Sequence, residues 1–196
     1  MENNVREESG LKFQFPENET VIKFDDTKFY RDYFNKLPNA KGVDFISVDK
    51  YKIAFIEVKN CIGDEGNCRW RIAPNNQKRN KTHTSVNVEG RDSLDIEMAQ
   101  KTAMTIAALI GAKSFGDTKE CLCELREYIQ FLSKDAFSDN SKKKYVILFL
   151  EGDFGGKTRS KKMIMKALQD SINKKLKWIN CRVSVVDSDT YNTKLF

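Results

Sequence analysis

Two apolar segments, residues 42–49 and 52–59, constrain the fold of this chain more than any other part of its sequence. They are rich in β-branched and aromatic residues and are separated by only two residues, which predicts an antiparallel β-hairpin. Three charged residues nevertheless lie inside the predicted strands: Asp44, Glu57 and Lys59. Because burying an unpaired charge is costly, these residues need either a partner or a function.

The length of the turn decides whether the three charges meet. If Lys50 and Tyr51 form a two-residue turn, Asp44 lies opposite Glu57 with Cβ atoms about 5 Å apart, and Lys59 is within diagonal reach. An odd loop would place Asp44 on the other face of the hairpin, and the turn lacks the Asn-Gly pair that enforces a two-residue loop. The alternative interpretation is that these are charges at strand ends and that Lys59 neutralises Glu57.

Two opposed carboxylates repel each other and weaken a sheet. A divalent cation between Asp44 and Glu57 would reverse this interaction, and Mg²⁺ typically binds one or two carboxylates together with waters and substrate phosphate. Lys59, beside such a site, can orient or deprotonate an attacking water and offset the charge of a phosphate. The pattern therefore indicates a site for phosphoryl chemistry.

Apolar periodicity in the rest of the chain predicts an α/β domain with a mixed central sheet flanked by helices. Further strands are predicted at 19–24, 68–73, 143–152 and 181–187, and helices at 25–37, 92–112, 118–133 and 159–178. The order strand, helix, strand near the carboxyl end implies a parallel pair joined by a crossover. We expect one domain over residues 1–196, with a polar and mobile loop insertion at about 61–92.

Composition limits the class of protein. The chain is 40% hydrophobic, which is typical of a folded globular protein. No apolar run approaches the about 18 residues of a membrane span, so no membrane partner is expected. The polar amino terminus does not look like a secretory signal, and the five cysteines lack the spacing of a disulfide scaffold, so we expect reduced cysteines and a cytoplasmic location.

Asp44 followed by Glu57-x-Lys59, with apolar strand residues around both, resembles the PD-(D/E)xK nuclease superfamily. The core of that superfamily is a helix, a strand hairpin, a helix and a further strand, the order found over residues 25–150. The resemblance implies a restriction-endonuclease-like core in which Asp44 and Glu57 bind Mg²⁺ or Mn²⁺ and Lys59 serves the attacking water. The backbone carbonyl of Val58 would be a further ligand.

The same resemblance singles out Gln100 on the predicted helix 92–112. Helical periodicity places Gln100 between Ile96 and Met104 on a face expected to meet the sheet. RecB-type exonucleases of the superfamily carry a glutamine on this helix beside the active site. Their motif continues to a tyrosine four residues later, where this chain has Met104. The alternative is a glutamine that is hydrogen-bonded within the core.

Basic residues suggest where nucleic acid would bind. The formal net charge is +6, which is compatible with a polyanionic partner. Arg69, Arg71, Lys161 and Lys162 are the candidate contacts, and their alternative role is a solvated surface. We therefore expect a metal-dependent nuclease that hydrolyses phosphodiester bonds in nucleic acid, DNA more than RNA. Its candidate assemblies are a homodimer and a larger complex of which it is a subunit. The alternative is a non-catalytic nucleic-acid or protein-binding module.

A glycine-rich turn at residues 152–158 offers a third interpretation. It follows a predicted buried strand and precedes a helix, as a phosphate-binding P-loop does. Counting back from Gly156-Lys157-Thr158, Glu151 occupies the position of the first required glycine. A nucleotide-binding role therefore ranks below the nuclease, and a simple turn between strand and helix explains the glycines.

Overall fold

A computed structural model describes residues 4–77, 91–116, 119–133, 137–156 and 158–191. Its strands are β1 (Val5–Glu8), β2 (Leu11–Gln14), β3 (Thr20–Lys23), β4 (Phe45–Val48), β5 (Lys52–Asn60), β6 (Lys143–Glu151) and β7 (Arg182–Val186). Its helices are α1 (Lys28–Asp32), α2 (Glu65–Ile72), α3 (Leu94–Lys113), α4 (Arg126–Ser133) and α5 (Lys161–Lys175). The predicted α/β class is confirmed.

The main sheet has five strands in the order β3-β4-β5-β6-β7, and β1 pairs only with β2. Strands β3, β4 and β5 form an antiparallel meander, whereas β6 and β7 add to it in parallel, so the sheet is mixed as predicted. The parallel pair of β6 and β7 is joined through α5, as expected. Most side chains of β6 are buried on both faces of the sheet, which explains why the sequence of this strand is almost continuously apolar.

The hairpin of β4 and β5 has the two-residue turn on which the site depends. The backbone N–H of Asp49 donates to the carbonyl oxygen of Lys52 at 2.9 Å. The Asp49 carboxylate accepts the N–H groups of Tyr51 and Lys52 at 2.6 and 2.8 Å, so an aspartate stabilises the turn in place of Asn-Gly. The predicted register is confirmed. Continued by one residue, it brings Asp44 opposite Glu57.

The two faces of the main sheet are covered differently. Helices α3, α4 and α5 pack on one face, where Phe55 and Leu148 join a large apolar core. The β1–β2 hairpin covers the other face, and the ring of Phe13 contacts those of Phe45 at 5.8 Å and Phe149 at 4.9 Å between centroids. Within the described ranges, no helix combines the length and apolarity needed to cross a bilayer.

The β1–β2 hairpin was not predicted from the sequence, in which the first strand was expected at 19–24. Ser9 and Gly10 form its turn with φ of 52° and 76°, the left-handed values that a two-residue hairpin loop requires. The alternation of Leu11, Phe13 and Phe15 with polar residues was the available signal, because those side chains face the apolar core on this side of the sheet.

Two predicted elements are wrong. Of the strand predicted at 68–73, residues 68–72 lie in α2, because Cys68 and Ile72, four residues apart, are the buried positions of a helix. The helix predicted over 25–37 is broken into α1 and flanking 3-10 turns. Thr27 caps α1 by accepting the N–H of Tyr30 at 3.2 Å, so the α-helix begins only at Lys28, inside the predicted range.

Part of the segment predicted as a loop at 61–92 forms the helix α2. Cys61 and Cys68 form a disulfide, contrary to the expectation that all five cysteines are reduced. This bond joins the end of β5 to α2, and it therefore fixes the helix close to the edge at which the charged residues of β5 lie. Residues 78–90 of the predicted loop lie outside the described ranges.

A buried aspartate joins α3 to α5. Asp95, in the first turn of α3, is fully buried and accepts hydrogen bonds from Ser171 and Lys175, both at 2.7 Å. Burial would raise the pKa of Asp95, but the hydrogen bonds from Lys175, Ser93 and Ser171 outweigh it and hold the pKa below its usual value. The ionised carboxylate is thus the stabilising form.

Replacing Asp95 with asparagine should therefore lower the free energy of unfolding at neutral pH by about 3 kcal/mol, because Lys175 loses its buried partner. Since the pKa of Asp95 is depressed by folding, its contribution is present above the unfolded pKa of about 3.9 and is lost as pH falls through the folded value. Urea unfolding at several pH values measures this. Asp170→Asn, which removes the exposed partner of Lys166, is the control and should change little.

Candidate functional site

The carboxylates of Asp44 and Glu57 meet at one ammonium group. Asp44 precedes β4, Glu57 lies in β5, and Lys101 extends from α3 towards both. The Nζ atom of Lys101 lies 2.7 Å from each carboxylate oxygen of Glu57 and 3.5 Å from Oδ1 of Asp44. Two acids on neighbouring strands therefore share one cation, which removes the repulsion expected between them.

Glu57 is the most deeply buried member of this group, with 1% of its side chain exposed. Lys59, on the same face of β5, approaches it with Nζ 2.6 Å from Oε1. The Glu57 carboxylate is thus held between two ammonium groups, one from its own strand and one from α3. Lys59 therefore forms the ion pair with Glu57 that the alternative interpretation expected, and Lys101 forms a second one.

The cluster continues from Glu57 towards α2. Lys59 Nζ also lies 3.4 Å from Oε1 of Glu97, one helical turn before Lys101 on α3. Glu97 in turn forms an ion pair with Arg71 of α2. Asp44, Glu57 and Glu97 therefore face Lys59, Lys101 and Arg71, and we call these six residues the charged cluster. Its three negative and three positive groups are balanced.

Burial and pairing act on the protonation of the cluster in opposite directions. Burial raises the pKa of Glu57, and the attraction of Lys59 and Lys101 only partly offsets it. Burial alone would lower the pKa of Lys101, but the carboxylates of Glu57 and Asp44 raise it above its ordinary value. Burial likewise opposes ionisation of Glu97, whose pKa is nevertheless lowered by Lys59 and Arg71. Lys101 is therefore a firmly charged ammonium.

Val58 contributes its backbone to the site. Its N–H donates to Oδ2 of Asp44 at 2.7 Å, which turns the aspartate towards β5. One carboxylate oxygen of Asp44 is thus fixed by the backbone, while the other faces Lys101. The assignment of the Val58 carbonyl as a metal ligand stays a prediction.

The orientation predicted for Gln100 is wrong. Gln100 is exposed, and its side-chain oxygen accepts a hydrogen bond from Lys41 at 3.0 Å. Helix α3 instead buries Met98, Thr102 and other residues on a different face. Apolar residues surround most of this helix, so periodicity gave no reliable direction. Lys101, the neighbour of Gln100, is the residue that reaches the acids.

Glu97, Lys101 and Arg71 are the cluster members that sequence reasoning missed. Glu97 and Lys101 are four residues apart on α3, a spacing that places both on one side of a helix. Two opposite charges inside an otherwise apolar helix were the available signal. Arg71 was considered only as a nucleic-acid contact in the predicted 61–92 loop.

The four predicted nucleic-acid contacts lie in different surroundings. Arg71 belongs to the charged cluster, and Lys161 forms an ion pair with Asp187. Arg69 and Lys162 are exposed. Each of these last two makes no ion pair within the part of the chain that the structure describes. Arg71 is thus the one member of these four that the structure brings into the cluster with Lys59.

The residues present fit a divalent cation with few protein ligands. No group of three or more histidine, cysteine, aspartate or glutamate side chains converges in a metal-binding arrangement among the described residues. Asp44 and Glu57 nevertheless both approach a single cationic centre, the ammonium of Lys101. Mg²⁺ commonly binds through only one or two carboxylates, so these two acids meet its minimum requirement.

Comparison with known proteins adds one finding. The profile of a family described as "Family of unknown function (DUF6661)" matches residues 27–196. No curated protein and no solved structure matches the chain. The match covers the charged cluster and every strand from β4 onwards, but not the β1–β2 hairpin.

Replacing Lys101 with methionine should lower the free energy of unfolding by about 3 kcal/mol in the presence of EDTA, because Glu57 and Asp44 lose the cation between them. Chemical unfolding measures the change. Lys41→Met removes an ammonium that contacts the same helix through exposed Gln100, and it should have little effect. Equal stability of the Lys101 variant and the wild type would show that the ammonium does not support the buried acids.

Proposed function

The chain belongs to the DUF6661 family, whose function is unknown, and we propose that it is a metal-dependent nuclease that hydrolyses phosphodiester bonds in nucleic acid, more specifically DNA. One observation carries the proposal: Asp44 and Glu57, on neighbouring strands, converge on a single cationic position with Lys59 beside them. Scattered over opposite faces of the sheet, these groups could not act together. Their convergence supports a shared chemical task.

The proposal includes a restriction-endonuclease-like core of the PD-(D/E)xK type. The order of elements supports it, because the β4–β5 hairpin is followed by α3 and then by β6, which is parallel to β5. The position of the charges supports it as well, since Asp44, Glu57 and Lys59 lie at one end of the hairpin and face α3. A family match to proteins of unknown function neither favours nor opposes this assignment.

Asp44, Glu57 and the carbonyl of Val58 are the groups that would hold Mg²⁺ or Mn²⁺. Such an ion, when bound, polarises the phosphodiester and lowers the pKa of a bound water. Lys59 would orient the attacking water through its ammonium, and Glu57 fixes that ammonium at 2.6 Å. Burial of Glu57 restricts access of bulk water to this part of the cluster and strengthens its electrostatic interactions.

Lys101 has a separate role in this proposal. Its ammonium now satisfies both acids, so it must release at least one of them before a metal ion can bind. A lysine has four rotatable methylene groups, which makes such a movement possible without a shift of α3. Once released, Lys101 can place its charge near the phosphate and offset the negative charge that develops there.

The balance of charges in the cluster favours a second candidate, a non-catalytic binding module on the same fold. Three acids and three bases neutralise each other, so the cluster does not require a metal ion for stability. On this interpretation Lys101 and Glu57 form a permanent structural pair. The two candidates differ in whether the acids bind a divalent cation at all.

Cleavage assays test the first candidate. With Mn²⁺ present and plasmid DNA, single-stranded DNA and RNA as substrates, Glu57→Gln, Asp44→Asn and Lys59→Ala should each reduce cleavage at least about 100-fold. Asp170→Asn, an exposed acid remote from the cluster on α5, serves as the control and should retain activity. Thermal unfolding must show that each variant is folded. Undiminished cleavage by folded Glu57→Gln and Lys59→Ala would remove the site assignment.

Calorimetry with Mn²⁺ separates the two candidates. Lys101→Met should bind Mn²⁺ at least about tenfold more tightly than the wild type, because it no longer places a competing charge a few ångströms from the ion. Glu57→Gln should abolish binding in both backgrounds. If neither the wild type nor Lys101→Met binds Mn²⁺, the protein is the non-catalytic module.

A further inference from the structure

A second concave site lies between α2 and the turn that leads into α5. It has a volume of about 400 Å³, within the range of ligand pockets, and none of its described lining residues is acidic. Arg69 of α2 and Arg159 of the turn are among its lining residues. Ile72 and Phe154, both buried, contribute apolar surface.

These two arginines differ from the basic residues that the fold already neutralises. Lys59, Lys101 and Lys161 all form ion pairs within the fold. Arg69 and Arg159 are exposed, and within the described residues neither guanidinium makes a hydrogen bond or an ion pair. Two positively charged residues from separate elements thus line one pocket, and neither is neutralised by an ion pair within the described residues. Guanidinium groups suit phosphate oxygens, with which they form paired hydrogen bonds.

The glycine-rich turn supplies the backbone of this pocket. Gly155, Gly156 and Thr158 line it, which gives the segment that resembled a P-loop a place in the structure. A Cβ atom on Gly155 would lie 3.4 Å from the backbone nitrogen of Lys161, so the turn passes close to the first residue of α5. Backbone N–H groups at such a helix start favour anions and add to the two arginines.

We propose that this pocket binds a nucleotide phosphate between Arg69 and Arg159, with the sugar or base against the apolar surface of Ile72 and Phe154. A single phosphate would not fill the volume, whereas a nucleotide unit uses both its charged and its apolar parts. The phosphate can belong to a nucleic-acid strand or to a free nucleotide. That it belongs to a strand rests on the proposed nuclease function.

The position of α2 connects this pocket to the charged cluster. Arg71, two residues after Arg69, pairs with Glu97 beside Lys59, and the Cys61–Cys68 disulfide joins the same helix to the end of β5. A strand that contacts the cluster therefore has a second anchoring point on the neighbouring surface of α2. The pocket would hold a phosphate other than the one that is cleaved.

Binding in EDTA tests this inference without any cleavage. Fluorescence anisotropy with a labelled single-stranded DNA 20-mer measures the affinity of the wild type and of the double variant Arg69→Gln/Arg159→Gln. Each affinity is measured from about 50 to about 200 mM KCl, a range in which phosphate contacts are salt-sensitive. Lys174→Gln/Lys177→Gln removes the same charge from exposed positions near the other end of α5 and is the matched control. Calorimetry with ATP and with inorganic phosphate forms the second arm.

We expect the double arginine variant to bind the strand roughly tenfold more weakly and the slope of log affinity against log salt to become less negative by about 1.4. The lysine control should change much less. Arginine-dependent binding of ATP without strand binding would assign the phosphate to a free nucleotide. Equal losses in both double variants, or no binding of any of the probes, would overturn the proposal.

The outcome of these binding measurements does not depend on whether the protein cleaves nucleic acid. Arginine-dependent binding together with no metal-dependent cleavage would retain the pocket and reject the nuclease. Cleavage that depends on Glu57, with strand and ATP binding unaffected by Arg69 and Arg159, would retain the nuclease and reject the pocket.

Discussion

The buried carboxylate of Glu57 is the constraint on which the rest of the structure depends. A lone charge at 1% exposure would be strongly unfavourable, so the fold must bring positive charge to it. Lys59 supplies one ammonium from the same strand, and Lys101 supplies another across the interface with α3. The rotation of α3 about its axis follows from this requirement, because only one face of the helix can present Lys101 to Glu57 while Met98 enters the core.

The same requirement links four elements through successive ion pairs. Asp44 and Glu57 meet Lys101, Lys59 joins Glu57 to Glu97, and Arg71 closes the series from α2. Removing one member leaves a neighbour with an unmatched charge in a poorly solvated place, so the groups behave as one network rather than as separate pairs. A metal ion entering between the acids would add positive charge to a balanced network. Either Lys101 moves away, or the network excludes the ion, and this choice separates an enzyme from a binding module.

The sequence predicted the parts of the site that follow from strand geometry. Alternation along β5 assigned Glu57 and Lys59 to one face, and the assumed two-residue turn placed Asp44 opposite Glu57. Those rules depend only on neighbours along the chain or across one ladder. The turn itself is stabilised by Asp49, which does for this hairpin what Asn-Gly does in others.

Helix orientation followed no such local rule. Helix α3 is apolar around most of its circumference, so the pattern could not tell that Lys101 rather than Gln100 faces the sheet. In α2 the alternation of apolar and basic residues imitated a strand, whereas the helix is defined by the spacing of Cys68 and Ile72. Tertiary contacts decide such cases, and they are not visible in a short stretch of sequence.

Net charge is a weak guide to function here, because the fold uses many of its own cations. Among the described residues, several lysines are paired with acids: Lys23, Lys28, Lys52, Lys59, Lys101, Lys161, Lys166 and Lys175. The formal excess of +6 therefore says little about where a polyanion binds. What matters is which positive groups the fold leaves without a counter-charge and whether they face the same concave surface. Arg69 and Arg159 meet both conditions, whereas Lys161, another contact predicted from the sequence, fails the first because Asp187 already neutralises it.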